Sequence, residues 1–331
     1  MFKKSMTLVF AFLMVFSLSA TGAMAADIIF KVATVEADET PTSKAIRDFK
    51  KFVEEKTNGK VEVQYFNNGV LGGERESIEG VALGTIQLCL PASSVLSMYG
   101  DKFNLFELPF LYDSFDVAYK IWDGEIGDIY SKWIEEQGLV NLGYVAYTAR
   151  GFGNSAKPVR VPADMKGLKV RVVESKLYID LFKAFGANPT PIPVPEVYTA
   201  LQQGTVNAVE QGPMETYSNK FHEQIKYYTW LKHIVMPVPI MANKSYMEKL
   251  PADVKAVILE GVKDMEVKLR DQLYKEEVKN LEDMRQAGVE TIAELTPEEV
   301  AQFRALIGPI YDEYRKIVGD EMFDKMLSYN K

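Results

Sequence analysis

Apolar and polar positions along this chain switch repeatedly between a strand period and a helix period. Residues 28–35 are mostly apolar and read as a strand. Thr42 and Ser43 then open a helix whose apolar residues Ile46, Phe49, Phe52 and Val53 form one stripe, and Asn58-Gly59 ends it. Residues 60–66 alternate, with Val61, Val63 and Tyr65 on one face, which predicts a second strand. After the turn-forming Asn68-Gly69 and Gly72-Gly73, the pattern predicts a short helix over 74–83, stopped by Gly84, and a buried strand over 85–90. Strand and helix alternating in this way imply an open, largely parallel α/β sheet.

The same alternation then recurs. Residues 142–148 and 168–173 read as strands, 176–185 and 196–203 as helices ended by Gly186 and Gly204, and 206–210 as another short strand. Two successive α/β halves with loops at strand ends imply a cleft between two lobes. Residues 251–286 predict one long amphipathic helix, or two in line, with Pro251 near its first turn. A short strand over 290–292 follows. Thr296-Pro297-Glu298-Glu299 is a capping box that launches a C-terminal helix to about Val318.

Composition narrows the function. The chain has 331 residues, 47% hydrophobic and 25% charged, which is ordinary globular composition and room for about two domains. Its net charge of -8 works against nucleic-acid binding, which draws on the release of counterions by basic surfaces. The N-terminus carries Lys3 and Lys4, an apolar stretch over 6–18 and the A-x-A site Ala23-Met24-Ala25. That pattern predicts a secretory signal peptide over 1–25; the apolar stretch is short for a membrane span. A lipoprotein would need a cysteine at the cleavage point, and none stands there. The single cysteine, Cys89, sits in an apolar run and excludes an intramolecular disulfide. Export without disulfides fits a periplasmic protein, and the mature chain is expected to be soluble and monomeric.

Motifs for catalysis are missing. Only two histidines occur, His222 in a polar helical stretch and His233 after Lys232, and neither lies in a nucleophile-elbow or caspase-like context. Both read as unremarkable surface residues. There is no H-E-x-x-H, C-x-x-C, P-loop or G-x-G-x-x-G. No cofactor or metal is expected. Paired carboxylates of a secreted hydrolase or lyase stay open as an alternative, because acids are plentiful.

The arginines say more. Arg171 lies inside the apolar run 168–173, where a charge is tolerated only when paired. Facing a cleft, its guanidinium suits a bidentate grip on a ligand carboxylate; a salt bridge to Glu174 or Glu210 is the equal alternative. Arg150 ends the strand over 142–148 beside Gly151 and Gly153, a position typical of a hinge or a surface.

Several long motifs, in one order, carry a family resemblance. They are VPADMKGLKVRVVES (161–175), GANPTPIPVPEVYTALQQGTVNAVEQGP (186–213), NKFHEQIKYY (219–228), FVEEKTNGKVEVQYFNNGVLGGERESIEGVALGT (52–85) and FELPFLY (106–112). Together they resemble the DctP-type substrate-binding subunits of TRAP transporters, over essentially the whole chain after residue 25. The resemblance implies an α/β, two-lobed, periplasmic-binding-protein-like fold with a hinge and a long spanning helix. It places residues 26–147 and about 237–278 in one lobe, and 148–236 and about 279–331 in the other. It implies a periplasmic protein, not an enzyme, that delivers a small organic acid to a small and a large integral-membrane subunit. An ABC-type or sensor receptor is the alternative among binding proteins.

In that family the arginine of the GLKxRV motif binds the ligand carboxylate, which falls on Arg171, and a second arginine falls on Arg150. The VDGxEN segment falls on 206–212, where Asn207 replaces the aspartate and Gln211-Gly212 stand in place of the ligand asparagine. In the sialic-acid branch an acidic residue and an asparagine occupy places that here hold Ala92 and Ala33. The loss of those polyol contacts points to a smaller or more apolar acid: a 2-oxo acid, an aromatic acid or a short dicarboxylate. The expected ligand set comprises Arg171, Arg150, Glu210, Gln211, Gly212, Ala92, Ser93, Val194, Met214 and Glu74. Pro91, Val95 and Phe110 are further candidates for the walls. Some family members hold a metal beside the ligand, but no cluster here requires one.

Overall fold

The computed structural model describes residues 26–292 and 295–330. The signal-peptide expectation for 1–25 lies outside the described residues. The chain begins with β1 (Ile28–Ala33), α1 (Pro41–Lys56), β2 (Val61–Phe66), α2 (Glu74–Leu83) and β3 (Leu88–Cys89). Two 3-10 segments, Ser93–Tyr99 and Asp101–Glu107, lead to α3 (Phe115–Trp122), α4 (Glu125–Glu135) and β4 (Leu139–Ala149). Next come β5 (Gly151–Asn154), β6 (Lys169–Val172), α5 (Lys176–Ala184), β7 (Asn188–Pro191), α6 (Val194–Gln202), β8 (Ala208–Gln211) and α7 (Pro213–Ser218). The rest is β9 (Tyr227–Thr229), β10 (Val235–Asn243), α8 (Lys244–Lys249), α9 (Ala252–Gln286), β11 (Glu290–Ile292), α10 (Pro297–Arg304), α11 (Gly308–Val318) and α12 (Asp320–Ser328).

Two sheets result, one per lobe. The first has strand order β2-β1-β3-β10-β4 and the second β11-β9-β5-β8-β6-β7. β2, β1 and β3 run parallel, as do β8, β6 and β7, which is the alternation read from the sequence. Two strands depart from it. β10 enters the first sheet antiparallel to β3 and β4, and β5 enters the second antiparallel to β8 and β9. Each follows a passage of the chain from one sheet to the other: β4 into β5, and β9 into β10. These two passages form the hinge.

β10 escapes the sequence pattern for a physical reason. Pro237 and Pro239 lack the N–H that an interior strand donates. The strand accommodates them with register shifts, one between Pro239 and Met241. The start of α1 also differs from expectation. Thr40, not Thr42 or Ser43, caps it, accepting from Ser43 N with Pro41 in the first turn. The buried strand expected over 85–90 shortens to Leu88–Cys89. The C-terminal helix expected to about Val318 divides into α10 and α11, with a break before Gly308-Pro309, and a further helix, α12, follows Gly319. The capping box at Thr296 and Glu299 forms as predicted.

The long helix α9 packs on α1 and β4 in the first lobe and on α7 in the second. No helix among the described residues is long and apolar enough to cross a membrane. The first lobe's core is rich in rings. Phe106 stacks on Tyr130 at 4.3 Å, and Trp122, Tyr112 and Tyr144 close around them. At the α3–α4 corner a Cβ on Gly127 would lie 1.7 Å from the Trp122 carbonyl oxygen, a backbone atom with no freedom to yield. Gly127→Ala is therefore expected to cost at least about 1–3 kcal/mol of stability, the usual penalty of overpacking, in a urea-unfolding comparison with wild type.

Candidate functional site

The hinge places Arg150 between β4 and β5, and β6 carries Arg171 to its end; the two guanidiniums are 2% and 1% exposed. Two glycines, Gly151 and Gly153, follow Arg150 because the surroundings there leave no room for a side chain. A Cβ on Gly151 would meet the Tyr228 hydroxyl oxygen at 2.2 Å, and one on Gly153 would meet Ile225 at 2.5 Å. Tyr228 uses that approach to donate its hydroxyl to the Gln211 carbonyl at 2.8 Å.

Arg150 is fully committed to protein partners. Its Nη2 donates to Glu210 Oε2 at 2.7 Å and to Gln211 Oε1 at 2.8 Å, and its Nε donates to Glu210 Oε1. Nη1 lies 3.2 Å from Met236 Sδ, and the guanidinium carbon sits 5.4 Å from the centre of the Tyr178 ring, a cation–π distance. Burial pushes the Glu210 carboxyl up, but Arg150 and His233 more than offset this and hold it at about 2. His233 is fully buried with Nε2 3.3 Å from Glu210 Oε1, so it is part of this charge cluster and not the surface residue expected. His222 is half-buried and stacks on Tyr217 at 4.6 Å.

Arg171 is placed differently. Its Nε donates to the Ile192 carbonyl at 2.7 Å and its Nη1 to Gln211 Oε1 at 3.2 Å. Among the described residues it makes no ion pair, and its Nη2 has no protein acceptor. The salt bridge to Glu210 considered from the sequence goes to Arg150 instead. Burial, and then the like charge of Arg150, lower the Arg171 guanidinium to about 10, against the pull of Glu210, Glu74 and Glu174. It stays cationic at neutral pH, buried and without a counterion in contact.

Arg171 and Arg150 line one cavity with Val35, Glu36, Glu74, Ala92, Val173, Val194, Gln211 and Met236. Both lobes contribute. The lobes meet so closely that about 10 Å³ remains for the centre of a water molecule, roughly the room for one water. At the cavity's edge Glu74 accepts the Ala92 N–H at 2.7 Å. Burial pushes the Glu74 carboxyl up to about 7, against the Ala92 N–H and Arg171, which pull it down.

Of the residues singled out from sequence, Arg171, Arg150, Gln211, Glu74, Ala92 and Val194 share this cavity, and Glu210 stands behind it. Ser93 turns its hydroxyl to Glu107, and Gly212 caps α7. Met214 lines a different cavity of about 490 Å³ with Tyr217, His222 and Lys279. Pro91 lines a small neighbouring cavity, while Val95 and Phe110 are buried in the core. Val35, Glu36, Val173 and Met236 also line the Arg171 cavity. No local pattern marks them, since only the fold brings these residues together from the ends of three strands, β1, β6 and β10.

The family model described as bacterial extracellular solute-binding protein, family 7, DctP, matches residues 32–317. The chain belongs to this family. The C4-dicarboxylate-binding periplasmic protein DctP of Rhodobacter capsulatus is 30% identical over 302 residues, 90% of each protein. The 2,3-diketo-L-gulonate-binding periplasmic protein YiaO of Escherichia coli is 33% identical over 251 residues, 76% of each. Among solved structures, a TRAP periplasmic solute-binding protein of Sulfurospirillum deleyianum with bound succinate superposes with a TM-score of 0.87 at 31% identity, covering 91% of this chain and 98% of that one. The sugar acid binding protein of Advenella mimigardefordensis in complex with galactonate gives 0.87 at 28% identity, covering 91% and 97%. Members of family 7 are solute-binding proteins and not enzymes, and the two-lobed fold with its spanning helix is theirs.

Proposed function

We propose that this family 7 protein works in the periplasm, after removal of residues 1–25, and captures a small organic acid between its lobes for delivery to the two integral-membrane subunits of a TRAP transporter. The observation that carries this reading is Arg171: a buried cation with an unused N–H face, no ion pair among the described residues, and a cavity beside it. A carboxylate entering that cavity supplies the missing charge in a low-dielectric site, where the attraction is strong. The loaded protein thereby gains from keeping its lobes closed. Relatives named for dicarboxylates and sugar acids support the ligand class.

The lining narrows the class. Val35, Ala92, Val173, Val194 and Met236 offer an apolar wall, and Glu36 and Glu74 carry negative or titratable charge. A monocarboxylate with a short carbonyl or aromatic body meets one guanidinium and this wall. A short dicarboxylate would turn its second charge toward the two glutamates. A 2-oxo acid or aromatic acid is therefore favoured.

A thermal-shift panel of pyruvate, benzoate, succinate, D-galactonate and sialic acid tests the reading. An acid at about a hundred times its Kd adds roughly 2.7 kcal/mol of stability, a visible rise in Tm. Shifts with pyruvate or benzoate are expected and none with sialic acid; tight sialic-acid binding, or no shift with any acid in ligand-stripped protein, counts against it. Protonation of Glu74 adds a pH signature. A bound carboxylate favours the protonated form, so binding takes up a proton and affinity falls as pH rises through about 7. Calorimetry at pH 6 and pH 8 is expected to show weaker binding at pH 8 by about severalfold, and Glu74→Gln is expected to flatten the difference.

A further inference from the structure

A second group of buried polar side chains joins the lobes behind the cleft. Glu107 and Asn104, both on the 3-10 segment Asp101–Glu107 of the first lobe, are fully buried. Glu107 Oε1 accepts from Ser93 Oγ at 2.5 Å and from Ser94 N at 2.6 Å. Its Oε2 accepts from Tyr178 Oη at 2.5 Å, across the lobe boundary. Asn104 Oδ1 accepts from Ser175 Oγ at 2.7 Å, also across the boundary. Ser175 is the N-cap of α5, yet its hydroxyl makes no capping bond and reaches the other lobe instead.

These bonds end on the ligand machinery from both sides. Tyr178 presents its ring to Arg150, and Ser175 sits where β6, which carries Arg171, turns into α5. Ser93 and Ser94 follow Ala92, whose N–H holds Glu74. A carboxylate with three donors has been kept in a region otherwise filled by aromatic rings, where an apolar side chain would avoid the desolvation cost. We propose that Glu107 and Tyr178 are positioning residues for ligand binding: a buried latch through which the first lobe holds the second lobe's arginines at the closed cleft, with Asn104 and Ser175 as its second bond. The inference rests on the reading of Arg171 as the carboxylate clamp.

Tyr178→Phe tests it, because the ring stays over Arg150 and only the hydroxyl bond is lost. Nitroxides at the exposed positions of Lys51→Cys in α1 and Gln202→Cys in α6 report the distance between lobes, and Cys89 is too buried to compete for label. In full-length mature protein, Tyr178→Phe is expected to shift the distance distribution to longer values. It is also expected to weaken binding of pyruvate or benzoate about tenfold, the worth of one well-made buried hydrogen bond. Glu107→Gln keeps one acceptor oxygen for Ser93 and Ser94 and offers an amide N–H to the Tyr178 oxygen, so it is expected to retain most of the wild-type affinity. Ser175→Ala is expected to act in the same direction as Tyr178→Phe with smaller size, and decides the matter should Tyr178→Phe not fold. Lost stability with superimposed distance distributions and affinity within about twofold overturns the latch. If neither acid binds wild type, the ligand class fails, while the distance comparison still decides the latch.

Discussion

Replacing Arg171 with alanine is expected to weaken acid binding by about 2–5 kcal/mol, roughly thirtyfold to several thousandfold in Kd. The size follows from the site's geometry. Among the described residues Arg171 has no ionic partner, and Gln211 and the Ile192 carbonyl fix its buried guanidinium without neutralising it. A ligand carboxylate replaces water with a charge-assisted pair in a cavity that admits almost no solvent. The folded protein should tolerate the change well, since the variant removes an uncompensated charge that lies close to Arg150. Calorimetric titration with the acid that stabilises wild type most is the check. A loss below about 1 kcal/mol would remove Arg171 from the central role.

Replacing Glu210 with alanine is expected to act on folding instead, costing about 3–5 kcal/mol in urea unfolding, the range for stripping one partner from a buried ion pair. The variant leaves Arg150 buried beside Arg171 with its main counterion gone. The pH dependence has a defined sign. The Glu210 carboxyl is held at about 2, below its ordinary value of 4.5, so the stability it contributes is present above about pH 4.5 and is lost as pH falls toward 2. Wild type should lose stability through that window and the variant should lose less. An equal acid response in both would show that the pair is not what couples this cluster to folding.

Much of the fold was legible because the parallel strands and their helices obey simple periods. β1, α1, β2 and α2, then β6, α5, α6 and β8, fall close to where apolar spacing and glycine stops place them. α9 and the Thr296 capping box are equally local signals. The antiparallel strands were not legible. β10 carries two prolines, which argue against a strand until register shifts accommodate them, and β5 is a four-residue run with two glycines whose purpose appears only when Tyr228 and Ile225 press against them. These two strands make the hinge, so the sequence showed two halves without showing how they join.

The site divides the same way. A charge in an apolar run marked Arg171, but whether it paired with Glu210 depended on Arg150, whose burial at the hinge no local pattern reveals. His233 looked unremarkable between Lys232 and Ile234 because its partner, Glu210, comes from a strand distant in sequence. Ser93 looked like a wall residue, yet its hydroxyl is drawn away by Glu107.

The most direct test is a crystal structure of the mature protein with the acid that gives the largest thermal shift. The carboxylate is expected on the outer nitrogens of Arg171, in hydrogen-bond contact, with the ligand body against Val35, Val173, Val194 and Met236. A carboxylate bound elsewhere, for instance in the cavity of Met214, Tyr217 and His222, with Arg171 untouched, would contradict this placement.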